Sequence, residues 1–308
     1  MSKYAIPNDT ENFLALAGSR GQDLIERCRN FGLLFHRYVP LAAIDGEGKE
    51  QERKRWYEAL VKRFDPANSP DLEALIKATA DRWNAMSKAG NAKRFKMNST
   101  SRLIVGLGGK GPLEIGITLD PVTGLPFIPG SALKGAARSY ALYVLAEEAK
   151  IKLDGTASDN DTLKNFDEAL LKGTYDALGG AADYRLIFGT LPDAETPSSG
   201  KAIFYDAVFL GRGGPIFELD VMTPHFKGWY NSGNSGKTPD APHDADSPNP
   251  VTFLTVGAGA QFKFAVGWRG EPHPAAHQFA CNLLKGALQD FGIGSKTAAG
   301  YGAFTPPK

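Results

Sequence analysis

The chain has 308 residues, 42% of them hydrophobic and 22% charged, and its 35 Lys and Arg exceed its 34 Asp and Glu by one. That length buries one large core or two modest ones, and the composition excludes collagen-like and wholly disordered classes. Near-neutral charge removes any bulk attraction for a polyanion, and two cysteines, Cys28 and Cys281, make no disulfide framework, so a reducing cytoplasm is expected.

Gly (35) and Pro (20) are abundant, so many backbone positions need unusual torsions or close approach. No apolar run approaches the ~18 residues that cross a bilayer. The opening MSKYAIPNDTENF has no apolar stretch or small-residue cleavage site and does not read as a signal peptide.

In chain order, FGLLFHRYV (31–39) is apolar and aromatic, a buried short strand or helix that periodicity does not resolve. Lys49 to Phe64 places Trp56, Leu60 and Phe64 at four-residue spacing and predicts a helix. Asp71 to Ala89 repeats the pattern after Pro70. Ser101 to Leu107 and Leu113 to Leu119 read as strands either side of GGKGP. A helix is expected from Ser131, its N-cap candidate, to about Lys152. Residues 153–200 read as an insertion holding one helix near 162–172. Strands follow at 202–210, 216–222, 251–256 and 261–268, with a long polar loop at 231–250. A helix at 275–291 follows, then GIGSKTAAGYGAF (292–304), a Gly-rich turn entering a terminal strand.

This order predicts an α+β fold with a ferredoxin-like core. Residues 1–95 are expected as a helical N-terminal region packed on a core at 96–308, with insertions at 153–200 and 231–250.

Four enzyme-like patterns fail on context. GLGGKG (106–111) satisfies GxGxxG but is followed by Pro112 and a strand-like segment, not the helix start a dinucleotide needs. Gly236-Lys237-Thr238 ends like a phosphate loop, yet Asn231 stands where its first Gly belongs. Ser131-Ala132-Leu133-Lys134 fits SxxK without its companion elements. His273, His277 and Cys281 share one helical face, but His273 lies between two prolines and Cys281 suits a core, so no metal is expected.

The remaining signal is where charge is absent. Residues 82–113, 121–146 and 291–308 contain no Asp or Glu, and the same three stretches carry Gly-rich turns and cations, including Arg102, Lys110, Lys134, Arg138 and Lys296. Backbone N–H groups at such turns and at helix starts bind anionic oxygens, so the pattern predicts a phosphodiester groove on a neutral protein. Lys134 and Arg138 lie one turn apart near a positive helix end, an arrangement an anion would relieve. Gly130 is expected to let a ligand approach there.

The segments FIPGSALKGAAR (127–138), IFG (187–189), ELDVMTPHF (218–226) and GIGSKTAAGYGAF (292–304) resemble the RAMP superfamily of CRISPR-associated proteins. In this order, with GLLFHRY (32–38), they look like the sixth-subunit family of the type III-B Cmr effector complex. The resemblance implies an RNA-recognition-motif-like core and a non-catalytic subunit without cofactor or metal. It would hold guide RNA near its 3′ end, beside target RNA and the backbone and other RAMP subunits, in antiviral RNA targeting. Ser131 and Lys134 match the family's PGSxLKG helix start. Gly292, Gly294, Ser295, Lys296, Thr297, Gly300, Tyr301 and Gly302 match its RNA-contacting loop. Tyr301, Phe226 and Trp229 are candidates for stacking on bases, and His225 is counted with the RNA-binding residues. Asp120 stands where many relatives carry His, and an acid there would repel phosphate.

Two other readings compete. Some RAMP relatives are metal-independent endoribonucleases, for which His225 and His36 are the candidate acid–base residues. Alternatively, the Gly-rich turns pack against protein and the chain is a purely structural subunit.

Overall fold

The computed structural model describes residues 28–108, 113, 115–156, 158–223 and 250–307. Seven α-helices are described: α1 (Phe31–His36), α2 (Lys49–Arg63), α3 (Pro70–Ala89), α4 (Gly130–Glu148), α5 (Ser158–Lys172), α6 (Ala181–Phe188) and α7 (Pro274–Gly286). The strands are β1 (Lys93–Ser99), β2 (Phe127–Ile128), β3 (Ala202–Phe204), β4 (Ala207–Gly211), β5 (Phe217–Met222), β6 (Val251–Val256), β7 (Gln261–Trp268) and β8 (Phe304–Thr305). Helices and antiparallel strands mix as the α+β expectation requires.

The main sheet runs β2-β4-β7-β1-β8, with β3 pairing the far end of β7. Its centre, β7, places Phe262, Phe264 and Val266 in the core, where Phe264 stacks on Phe95 of β1 and meets Phe304 of β8 edge-on. Each buried phenyl ring contributes ~2 kcal/mol of apolar burial. Helices α4, α6 and α7 pack against this face, and α3 covers part of the other, setting Trp83 on Val208 and Ala265. A separate hairpin, β5–β6, pairs in register from Phe217↔Val256 to Met222↔Val251. Helices α1 and α2 pack beside it, with the Phe31 and Phe217 rings stacked 3.9 Å apart, and they share the main core.

Several elements depart from the sequence reading. The first core strand is Lys93–Ser99, not 101–107. It alternates Phe95 and Met97 inward with Arg94 and Lys96 outward, so its exposed cations disguise it. Among the described residues of 101–107 and 113–119 the only β pairings are the isolated bridges Leu103↔Val256 and Leu119↔Pro126. The span 102–105 bonds to four different residues, Gly302, Val256, Ser295 and Thr118, and so joins no single ladder. The expected strand at 202–210 breaks at Tyr205–Asp206, because Asp206 leaves the ladder to serve two neighbours described below. The 153–200 insertion holds a second helix, α6, whose Tyr184 and Ile187 are fully buried. The 231–250 loop lies outside the described residues except for Pro250.

Candidate nucleic-acid interface

The Gly-rich loop is held at both shoulders, and its tip is a short exposed turn in which the Ala299 and Tyr301 amides donate to the Lys296 carbonyl and the Gly300 amide to the Thr297 carbonyl. Ile293 and Gly302 are joined by a bond from the Ile293 amide to the Gly302 carbonyl (2.9 Å). Gly302 donates to the Arg102 carbonyl (2.8 Å), and Ser295 to the Ile104 carbonyl (2.7 Å). Gly302 needs to be glycine: its φ is +72°, and a Cβ would lie 2.0 Å from the Ile293 carbonyl oxygen. Gly292 donates to the Ala287 carbonyl and so closes the wide last turn after α7, and Gly294 lies against the Ile104 carbonyl. Beyond these anchors Thr297, Ala298, Ala299 and Gly300 are exposed. Lys296 sits in the left-handed region (φ +61°), uncommon for a side-chain-bearing residue, with its ammonium 5.7 Å from the Phe253 ring centre.

Beside this tip the chain supplies its own carboxylates. Arg102 places Nε 3.1 Å from Glu218 Oε2 and an Nη 2.9 Å from Asp220 Oδ2; Tyr301 donates its hydroxyl to Asp220. Arg212 pairs with the other Glu218 oxygen at 2.7 Å. Burial pushes the Asp220 carboxyl up, but hydrogen bonds from Tyr301 and the Val221 amide and the charge of Arg102 hold it below the usual range. Glu218 is likewise held low, against its burial, by Arg102 and Arg212. Burial and the bond to Asp220 push the Tyr301 phenol up. Arg102 is thus charge-balanced within the chain, and the Tyr301 hydroxyl is engaged.

The start of α4 differs from the sequence reading in the same sense. Pro129 occupies the N-cap position and Ser131 lies inside the first turn, exposed and making no cap bond. Gly130 permits close approach of the chain's own Phe204 carbonyl, 2.1 Å from an added Cβ, rather than of a ligand. Its N–H donates to Asp206 Oδ1 at 2.6 Å, so an internal carboxylate answers the positive helix end. The Asp206 carbonyl also accepts from the Trp83 indole. Arg138 bonds Asp167 and the Tyr184 hydroxyl, stitching α4 to α5 and α6. Lys134 makes no ion pair among the described residues; burial and the neighbouring Arg138 and Arg269 lower its pKa. Asp120 accepts from the Val122 and Thr123 amides and the Thr123 hydroxyl, serving its own turn.

Of the predicted residues, Arg102, Gly292, Gly294, Ser295, Lys296, Thr297, Gly300 and Tyr301 meet at one junction, whereas Gly130, Ser131, Lys134 and Arg138 form a separate group at α4. Lys110, His225, Phe226, Trp229 and residues 236–238 lie outside the described residues. His36 bonds the Ile117 carbonyl at 3.1 Å, and burial holds its pKa low. His277 bonds the Val266 carbonyl at 2.7 Å, His273 caps α7 through the Ala276 amide, and Cys281 is buried. Among the described residues no cluster of three metal-ligating side chains forms, and no helix is long and apolar enough to cross a membrane. Sequence reasoning misses Asp206, Glu218 and Asp220 as partners. The spacing of Glu218 and Asp220, two apart on one strand face, is the signal that could have shown a carboxylate pair awaiting a cation.

Comparison with known proteins agrees with this architecture. The chain is 34% identical over 235 residues, 67% of its length, to the CRISPR system Cmr subunit Cmr6 of Pyrococcus furiosus, covering 66% of that protein. It is 25% identical over 216 residues to the CRISPR system CMR subunit Cmr6 of Saccharolobus solfataricus, covering 56% of that protein. The chain therefore matches less than two thirds of either relative's length. A chain in the cryo-EM structure of the type III-B Cmr-beta complex bound to cognate target RNA shares the fold, with a TM-score of 0.53 at 17% identity over 97% of this chain and 87% of that one. The RAMP superfamily model matches residues 96–305, the span carrying the sheet, α4, α7 and the Gly-rich loop. The chain belongs to the RAMP superfamily.

Proposed function

We propose that this chain is a non-catalytic RNA-binding subunit of a type III-B (Cmr) CRISPR effector complex. It holds guide RNA near its 3′ end, contacts target RNA and neighbouring RAMP subunits, and works in the cytoplasm in antiviral defence. Its core is read as ferredoxin-like, a reading supported by the strand order β4-β7-β1-β8 with α4 and α7 on one face. The observation that carries the function is the loop at 292–302. Its shoulders are fixed by backbone bonds while Lys296 to Gly300 project, and the Lys296 ammonium has no carboxylate partner among the described residues. A fixed loop offering the amides of Thr297 and Ala298 and one cation, its Ala299, Gly300 and Tyr301 amides being used within the turn, suits a phosphate or ribose hydroxyl and reads no base, so recognition should be independent of sequence.

The test is guide retention by the complex assembled with its neighbouring subunits. Lys296→Glu is expected to lower retained guide RNA by about ten-fold. Lys296→Asn, which suits the same left-handed backbone, separates lost charge from strain and should give a smaller loss. Retention equal to the parent in both would remove the RNA role of the loop and leave the structural-subunit reading.

A further inference from the structure

The register of β1 against β7 sets Lys96 directly opposite Lys263, with Arg94 two residues along the same face. Like charges opposed across a ladder weaken the pairing, so a strand that keeps them here does so against its own stability. No ion pair among the described residues involves Arg94, Lys96, Lys77 or Lys263. The Lys263 ammonium donates instead to the uncharged Asn84 Oδ1 (2.6 Å) above the Trp83 ring. Burial, then Arg94 and Lys96, hold its pKa below the ordinary lysine value.

A groove of about 680 Å³ opens on this face between α3 and the sheet, with Lys77, Lys96, Asn98 and Gln261 on its walls. Glu73 is the one carboxylate among its lining residues, and the lining Arg212 is already paired with Glu218. Arg94, Lys96 and Asn98 follow at two-residue intervals, a row about 13 Å long at ~3.3 Å per residue.

We infer that this groove, continued along β1 past its edge by Arg94 and the neighbouring Lys263, is a second, separate track for the phosphodiester backbone of single-stranded RNA, with Lys77 and Lys96 on phosphates inside it, Arg94 and Lys263 on phosphates beyond it, and the remaining donors of the Asn98–Gln261 amide pair on phosphate or ribose oxygens. A row of cations that ends in a pair of amides suits a polymer that carries an anion and a hydroxyl in every repeat. Trp83 is buried beneath Lys263 and offers no open ring, so the track binds backbone and not bases. The track does not depend on the Gly-rich loop and stands even if that loop contacts protein.

The test is fluorescence anisotropy of the full chain with a labelled 20-nucleotide oligouridylate at stepped KCl concentrations. The double variant Arg94→Gln/Lys96→Gln is expected to bind about ten-fold more weakly near 0.1 M salt, with a log–log salt slope shallower by about 1.4, from ~0.7 per lost phosphate contact. Its thermal midpoint should not fall, since opposed charges have been removed, and Arg94→Lys/Lys96→Arg should keep the affinity. Lys296→Glu runs in parallel: a loss there with none at positions 94 and 96 sinks this track alone, and the reverse sinks the loop reading alone. No binding by the parent chain, or an unchanged slope in the Gln variant, overturns the inference. So does an oligoglutamate peptide that loses affinity in the Gln variant while RNA does not, which would make the groove a seat for an acidic protein segment.

Discussion

Two groups of cations in this molecule have opposite electrostatic settings. At the junction under the Gly-rich loop, Arg102 meets Glu218 and Asp220, and Arg212 takes the remaining Glu218 oxygen. On the outer face of β1, Arg94 and Lys96 meet one another and Lys263, and none of the three forms an ion pair among the described residues. The first group fastens the hairpin β5–β6 to the strap at 102–105 and so fixes the base of the loop. The second forms no ion pair among the described residues, and only Lys263 is engaged, by the uncharged Asn84 and the Trp83 ring. A cation beside a flexible turn in the sequence is therefore not by itself a ligand-facing cation; the folded chain decides which ones it spends on itself.

The sharpest way to break the junction is through its backbone. Gly302→Ala puts a Cβ against the Ile293 carbonyl at positive φ and is expected to cost about 3 kcal/mol in urea unfolding. Asp206→Ala, which leaves the Gly130 amide and the positive end of α4 unanswered, should cost about 1–2 kcal/mol by the same measurement. Tyr301→Phe deletes one donor to Asp220 and should cost about 1 kcal/mol, while raising the Asp220 pKa toward its ordinary value when followed by carboxyl NMR. On the other side of the comparison, Lys96→Gln alone should leave stability unchanged or raise it by up to about 0.5 kcal/mol.

The two groups also separate by pH. Glu218 and Asp220 have folded-state pKa values below their unfolded ones, so their contribution is complete above the unfolded carboxylate range of ~4 and is lost as pH falls through the lower folded values. The acid limb of the stability profile should therefore move to higher pH in Tyr301→Phe and stay in place in Lys96→Gln. An identical acid limb in parent and Tyr301→Phe would show that the junction does not depend on that hydrogen bond.

Helices α2, α3 and α5 are legible in the sequence from their helical spacing of apolar residues, and strands β5, β6 and β7 from short runs rich in aromatic and β-branched residues, although β6 and β7 each bury four consecutive residues rather than one face. The strand β1 is not, because its outward residues are cations and its inward face is short. The apolar run at 101–107 misleads for the opposite reason: Leu103 and Ile104 are buried, yet their backbone bonds go to several partners rather than along one ladder. Within the candidate site the Gly-rich loop is readable from its glycines. The spacing of Glu218 and Asp220 marks a carboxylate pair but not its cation, since 116 residues separate Arg102 from Glu218 and 118 from Asp220, and no local spacing joins them.

The central claim, that RNA lies against the projecting tip of the Gly-rich loop, is tested most directly by photocrosslinking. Guide RNA carrying 4-thiouridine near its 3′ end would be irradiated in the assembled complex and the crosslinked peptides mapped by mass spectrometry. Crosslinks to this chain are predicted within residues 295–301. Crosslinks to this chain confined to other surfaces, or found only on its neighbours, would contradict it.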